Sequence, residues 1–210
     1  KANEYQNNLY YKNIKIPKIR IGDSELTHEK YQPFEGFVCN EILQTEEGRQ
    51  IPQIGFFETE FEFPVVLEKD RLWMSITPNE IETMKEPVKQ AFGKVLTFGL
   101  GLGYFAYMAS QKNKVKSITI VESNENVIAL FIEYLLPQFA HAQKVEVIKA
   151  DAFEYAQKFM SKGQFDFVFT DLWHDVGDGI DLYLKMKQYE KHTPGTVFAY
   201  WIEKSILCYL

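Results

Sequence analysis

The stretch "KVLTFGLGLGYFAYMAS", residues 94–110, decides the fold. Val95, Leu96, Thr97 and Phe98 form a short apolar run. It breaks into three alternating glycines, Gly99, Gly101 and Gly103, and an apolar, helix-compatible stretch follows at once. Strand, glycine-rich turn and helix in that order bring bare backbone against a ligand. Dinucleotides, phosphates and S-adenosylmethionine are all held by loops of this kind. Glycines present only to make a tight turn would read the same way.

Beyond this stretch the chain keeps alternating. Strand-like runs recur at 117–122 ("SITIVE"), 144–150 ("KVEVIKA"), 165–171 ("FDFVFTD") and 195–201 ("GTVFAYW"). Helix-compatible segments lie at 103–111, 124–136, 151–161 and 179–191, with Asn124, Asp151 and Asp178 placed to cap the last three. Short strands alternating with helices predict an α/β fold, a Rossmann-like, doubly wound and mostly parallel sheet. Residues 1–75 read as a small β-rich N-terminal region, and 76–210 as the ligand-binding domain. A helix over 77–92 leads into the first core strand, with Thr77 as its cap, Pro78 in its first turn and Glu80 completing a capping box.

The 210 residues are 46% hydrophobic and 25% charged, ordinary for a globular protein, and carry a formal net charge of −6. Such a chain has no general attraction for phosphate backbones and shows no basic patch, so no nucleic-acid partner is expected. Cys39 and Cys208 match no metal-ligand spacing and read as reduced thiols of a cytoplasmic protein. No apolar run is long enough for a membrane span, and no signal peptide is seen. The opening Lys1 is expected of a fragment.

Two registers fit the glycines. Gly101 to Ala106 satisfies the G-x-G-x-x-A form of the dinucleotide fingerprint, and Gly99 to Gly103 satisfies G-x-G-x-G. The later strand ends discriminate. Glu122 ends the second strand, where a carboxylate can accept ribose hydroxyls. Asp151-Ala152 follows the third and Asp171-Leu172-Trp173 the fourth. An acid after the third strand can accept from an adenine amine, which a nicotinamide cofactor would not need.

This series resembles the class I S-adenosylmethionine-dependent methyltransferases over residues 76–205. The resemblance implies S-adenosylmethionine as cofactor. It would place Gly99, Gly101 and Gly103 at the methionine part, Glu122 at the ribose, and Asp151 with Ala152 at the adenine, with Leu100 and Ser123 among the cofactor-binding positions. The family usually has an acid two residues before the first glycine; here Thr97 stands there. The segment 165–175, "FDFVFTDLWHD", is similar to the catechol O-methyltransferases. Carried over, Asp171 is the catalytic acid, Trp173 the adenine wall and His174 a general base. That family draws an Asp-Asn pair from the fifth strand, where this chain has Tyr200 and Trp201, so no metal site is expected. Leu172 and Trp173 also replace the Pro-Pro of the methyltransferases that act on nucleic-acid amino groups.

Plainer readings stand beside these. His174 can be a solvated loop residue, and Trp173 a roof over the core. Asp175, Asp178 and Asp181 can be solvated caps or an acidic rim for a cationic acceptor. Trp73-Met74-Ser75 can be a lid or a buried joint. The leading function is methyl transfer to a small molecule or protein side chain. The runner-up is aminopropyl transfer of the spermidine synthase kind, for which the acidic loop is apt but whose Gly-Gly-Gly-Asp-Gly loop is absent. A third reading is a non-catalytic nucleoside-binding or interaction protein that keeps the fold.

Overall fold

The computed structural model describes residues 2–210. Two short helices come first, α1 (Ala2–Gln6) and α2 (Leu9–Asn13). The strands β1 (Ile19–Ile21), β2 (Ser24–Tyr31), β3 (Phe37–Val38), β4 (Leu43–Gln44), β5 (Gln50–Ile51), β6 (Ile54–Gly55), β7 (Phe61–Glu68) and β8 (Arg71–Ser75) follow. From α3 (Pro78–Gln90) the chain alternates: β9 (Gly93–Phe98), α4 (Tyr104–Ser110), β10 (Val115–Glu122), α5 (Glu125–Leu130), β11 (Val145–Lys149) and α6 (Ala152–Tyr155). It continues through α7 (Ser161–Gly163), β12 (Phe167–Thr170), α8 (Val176–Lys187), β13 (Val197–Tyr200) and α9 (Glu203–Leu207).

The main sheet has the order β11-β10-β9-β12-β13, and every neighbouring pair is parallel. β9 and β12 sit in its middle. Val95, Leu96, Phe98, Phe167, Val168 and Phe169 are all fully buried, as strands covered on both faces require. From α4, Phe105 packs its ring 4.4 Å from that of Phe169. The chain reverses its direction of winding between β9 and β12, and the crevice at that reversal is where open parallel sheets take ligands. An antiparallel sheet of order β1-β2-β7-β8 delivers β8 to the mouth of the crevice.

Ala2–Gln6 and Leu9–Asn13 are helical, an addition to the β-rich reading of the N-terminal region. Helices of five residues do not stand alone in water, so tertiary partners must hold them. Tyr10 is fully buried and donates its hydroxyl to the Leu102 carbonyl at 2.5 Å. Asn8 and Asn13 donate to the hydroxyls of Tyr104 and Tyr107 on α4.

Helix ends hold two further differences. Thr77 precedes α3 but its side chain caps nothing, and Glu80 does not complete a box: it is turned inward, 6% exposed. α8 begins at Val176 rather than 179. Asp175 is its cap, and Asp178, expected as the cap, instead closes the capping box from the third position. Gly177 and Gly179 conceal this start from a propensity reading. Gly179 is needed there because a Cβ would lie 2.9 Å from Cδ1 of Trp173. The segments 124–136 and 151–161 are helical as expected, but α5 and α6 each run on into a π-helical turn, at Phe131–Leu135 and Ala156–Met160.

Lysines gather main-chain carbonyls at the amino ends of the parallel strands. Lys94 Nζ reaches Gly163 O, and Lys112 Nζ takes Val88, Lys89 and Ala91 O at 2.5–2.7 Å. Lys144 Nζ takes Ser110 and Lys112 O. Among the described residues no helix is long and apolar enough to cross a membrane.

Candidate functional site

The glycine turn is built by close approach. Gly99 has φ +97°, and a Cβ there would lie 2.0 Å from the Asp171 carbonyl oxygen; the Asp171 amide in turn donates to Phe98 O at 2.9 Å. Loop and fourth-strand end are thus pressed together at the point of winding reversal. Gly103 (φ +71°) starts α4, where a Cβ would meet the Phe131 ring at 2.4 Å, and is not among the residues that line the cleft. Gly101 faces Met74 of β8.

Glu122, at the end of β10, fixes the turn. Its Oε1 accepts from the amides of Ser123 and Asn124, both at 2.8 Å, and its Oε2 accepts from the Leu100 amide at 3.2 Å. Asn124 caps α5 through Asn126 and Val127, and Asp151 caps α6 through Glu154 N at 2.8 Å, both as the sequence leads one to expect.

These ends surround a cleft of about 430 Å³. Gly99, Leu100, Gly101, Glu122, Ser123, Asp151, Ala152, Asp171, Trp173 and His174 all line it, so nearly every candidate position comes together. The ionisable lining is Glu80, Glu122, Asp151, Asp171 and His174; among the described residues no lysine or arginine lines it. A side chamber of about 20 Å³, the size of one water, opens between Glu80, Thr97, Asp171 and the loop from Gly99 to Gly101. Among the described residues no group of three or more metal-ligating side chains forms.

Asp171 Oδ1 is sealed from solvent and has no hydrogen-bond partner. Burial pushes its carboxyl up to about 7. Glu80 is raised well above the ordinary carboxylate range, by burial first and then by the facing Asp171. At the rim, the half-exposed His174 ring meets Asp178 Oδ2 through Nδ1 at 2.9 Å and stands edge-on to Trp73, with centroids 4.8 Å apart. Burial alone would raise the Asp178 carboxyl; hydrogen bonds from the Asp175 amide and from His174 outweigh it and hold the group below its usual range. Trp173 is only 3% exposed, donates Nε1 to Trp201 O at 3.2 Å, and packs on Gly179 of α8. Trp73, Met74 and Ser75 of β8 line the mouth.

The sequence reading missed Glu80, Asn79 and Trp201. All three line the cleft, and Asn79 Oδ1 is buried without a partner. Trp201 is pinned to α3 by its Nε1, which donates to Thr83 Oγ1 at 2.8 Å. Helical spacing carried a signal for Glu80. Met84 and Pro87 recur at i+4 and i+7 on the buried stripe of α3, and the same stripe runs back to position 80.

The family model described as the spermine/spermidine synthase domain matches residues 81–192, more than half of the chain. No curated protein matches. Among solved structures, a spermidine synthase in complex with the transition-state analogue AdoDATO is 19% identical, with 67% of this chain and 54% of that one covered and a TM-score of 0.50. The spermidine synthase from Thermotoga maritima is 17% identical, covering 76% and 56%, with a TM-score of 0.48. A protein in the NADB-Rossmann superfamily from Streptococcus agalactiae is 11% identical, covering 53% and 48%, with a TM-score of 0.43. The chain spans about half the length of the solved structures it matches.

Proposed function

The chain belongs to the spermine/spermidine synthase domain family, and from that premise we propose that it transfers an aminopropyl group from decarboxylated S-adenosylmethionine to an amine. One observation carries this reading: among the described residues the cleft is lined by four carboxyls and by no lysine or arginine. Both partners of such a reaction are cations, a sulfonium nucleoside and an ammonium. S-Adenosylmethionine itself brings an additional carboxylate, for which the lining has no counter-charge.

Each residue then has a physical task. Glu122 and Asp151 offer acceptors to the ribose and adenine, and the bare Gly99–Gly101 backbone lets the sulfonium approach. The acceptor nitrogen forms its bond to the carbon beside sulfur as the carbon–sulfur bond breaks, and the thioether nucleoside leaves neutral. For that attack the acceptor ammonium must first shed one proton to free the nitrogen lone pair, and Asp171 is the group proposed to take it, because burial has moved its carboxyl up to about 7, near the working pH. Alignment of nitrogen, carbon and sulfur supplies most of the rate.

A second reading, methyl transfer from S-adenosylmethionine, is favoured by the loop itself, which places Leu102 where the aminopropyltransferase pattern has its acid and Leu100 where that pattern has a glycine. A thermal-shift panel separates the two, since a ligand that binds only the native state raises the melting temperature. Decarboxylated S-adenosylmethionine and 5′-methylthioadenosine are expected to raise it more than S-adenosylmethionine, and NADH not at all. A shift with S-adenosylhomocysteine alone would transfer the assignment to methyl transfer.

His174 is engaged by Asp178 and Trp73 at the rim. We therefore expect His174→Ala to raise KM for the amine several-fold and to slow turnover by less than about tenfold, below the usual contribution of a general base. Turnover slowed by roughly two orders of magnitude, the contribution of a general base, would return His174 to the chemistry.

A further inference from the structure

Glu80 lies one residue before the span that matches the family and has no part in the roles assigned above. It sits in the first turn of α3, where an exposed acid would serve the helix end, yet it is only 6% exposed. With Asp171 it walls the 20 Å³ chamber, and Asp171 Oδ1, in the same wall, has no partner. A chamber of that size admits one water or one ammonium head, and no longer group.

The other ionisable groups around the pair leave it uncompensated. Tyr104 of α4 lines the chamber, but burial pushes its hydroxyl up to about 12, so it stays neutral. Glu122 at the end of β10 is held by three amides, and Asp151 is committed to the α6 cap. His174 is tied to Asp178 at the rim, and Glu82, on α3 itself, pairs outward with Lys85. β8 contributes Met74, which carries no charge.

We propose that Glu80 and Asp171 form a single ammonium site, sharing one proton in the free protein and releasing it to solvent when a protonated amine enters the chamber. Two like carboxyls in one dry site do not both ionise without a cation. The ammonium supplies that cation, both carboxyls become carboxylates, and the displaced proton balances the charge. The identity of the ligand as an amine rests on the aminopropyl-transfer reading; the shared proton does not.

Two measurements test this. The first is on the free protein, comparing wild type with Glu80→Gln from pH 5 to 8. A carboxyl whose folded pKa is raised stabilises fully only below its unfolded pKa and loses that contribution as pH rises through the folded one. The melting temperature of Glu80→Gln is therefore expected to gain on wild type with rising pH, by roughly 3–5 °C per pH unit while one proton is in play. The second is calorimetric titration of 1,4-diaminobutane at pH 7 in two buffers of different ionisation enthalpy. Wild type is expected to release about one proton per diamine bound. Glu80→Gln is expected to release none and to bind roughly 10–100-fold more weakly, the effect of losing a hydrogen bond to a charged group. A pH-independent gap in melting temperature, or binding without proton release, overturns the shared site and leaves the aminopropyl reading standing. No diamine binding anywhere between pH 6 and 9 overturns the ammonium site and the aminopropyl reading together, and the shared proton then stands or falls on the first measurement.

Discussion

Asp171→Asn is expected to give a folded protein whose turnover has dropped by roughly 10²–10⁴-fold, the usual contribution of a positioned general base. Asparagine keeps the shape of the side chain and its place beside Gly99, so the Asp171 main-chain contact with Phe98 O is unaffected. What it removes is the carboxylate proposed to accept the proton. Wild-type turnover is expected to fall as pH drops below about 7, where the carboxyl protonates, and the variant is expected to lack that limb. Stability moves the other way. The folded pKa of Asp171 is raised, so its contribution is complete below the unfolded value and declines as pH rises to about 7. The neutral variant escapes this decline and is expected to melt above wild type at pH 8. Steady-state release of the thioether nucleoside and a melting curve check both halves. A variant within tenfold of wild-type turnover would exclude Asp171 as the base.

Gly99→Ala is the change expected to damage the fold most. The backbone there has φ +97°, which L side chains rarely adopt, and the new Cβ would sit 2.0 Å from a main-chain oxygen that belongs to Asp171. Backbone cannot swing aside as a side-chain tip can, so β9 and β12 must separate at their carboxyl ends. A cost of about 3 kcal/mol or more follows, a fall in melting temperature of about 6–12 °C. Gly101→Ala is the internal control. Its φ is also positive, but its Cβ would meet the flexible Met74 side chain, at 2.9 Å from Cγ. Thermal unfolding of the two variants side by side is expected to show the larger loss at position 99; equal losses would mean that conformational strain, and not contact with Asp171, decides.

The strand–glycine–helix signature and the acids at successive strand ends were legible because they are local: each follows its own apolar run within a residue or two. That is why Glu122, Asp151 and Asp171 were found, and why the parallel sheet was. Three things were not legible, for different reasons. Residues 2–13 have no apolar alternation, and their helices depend on Tyr10, Asn8 and Asn13 finding α4 about ninety residues away. The start of α8 was obscured by two glycines, one of which serves Trp173 rather than the helix. Glu80 was misassigned because two explanations of an acid in a first helical turn compete. Capping is the commoner one, and only the tertiary fold shows that this turn faces inward.

The lysines that bind carbonyls beneath the sheet have a consequence for how a ligand arrives. Lys94, Lys112 and Lys144 stand at the amino ends of the parallel strands, while Glu122, Asp151 and Asp171 stand at the carboxyl ends. These three lysines are thereby held away from the three acids along the strand direction, within a chain whose net charge is −6. A cleft lined by four carboxyls is expected to draw a cationic ligand toward it before contact and to turn an anionic one away. This is selection by long-range field, made before any contact. It also weakens as added salt shortens the screening length, to about 8 Å at physiological ionic strength.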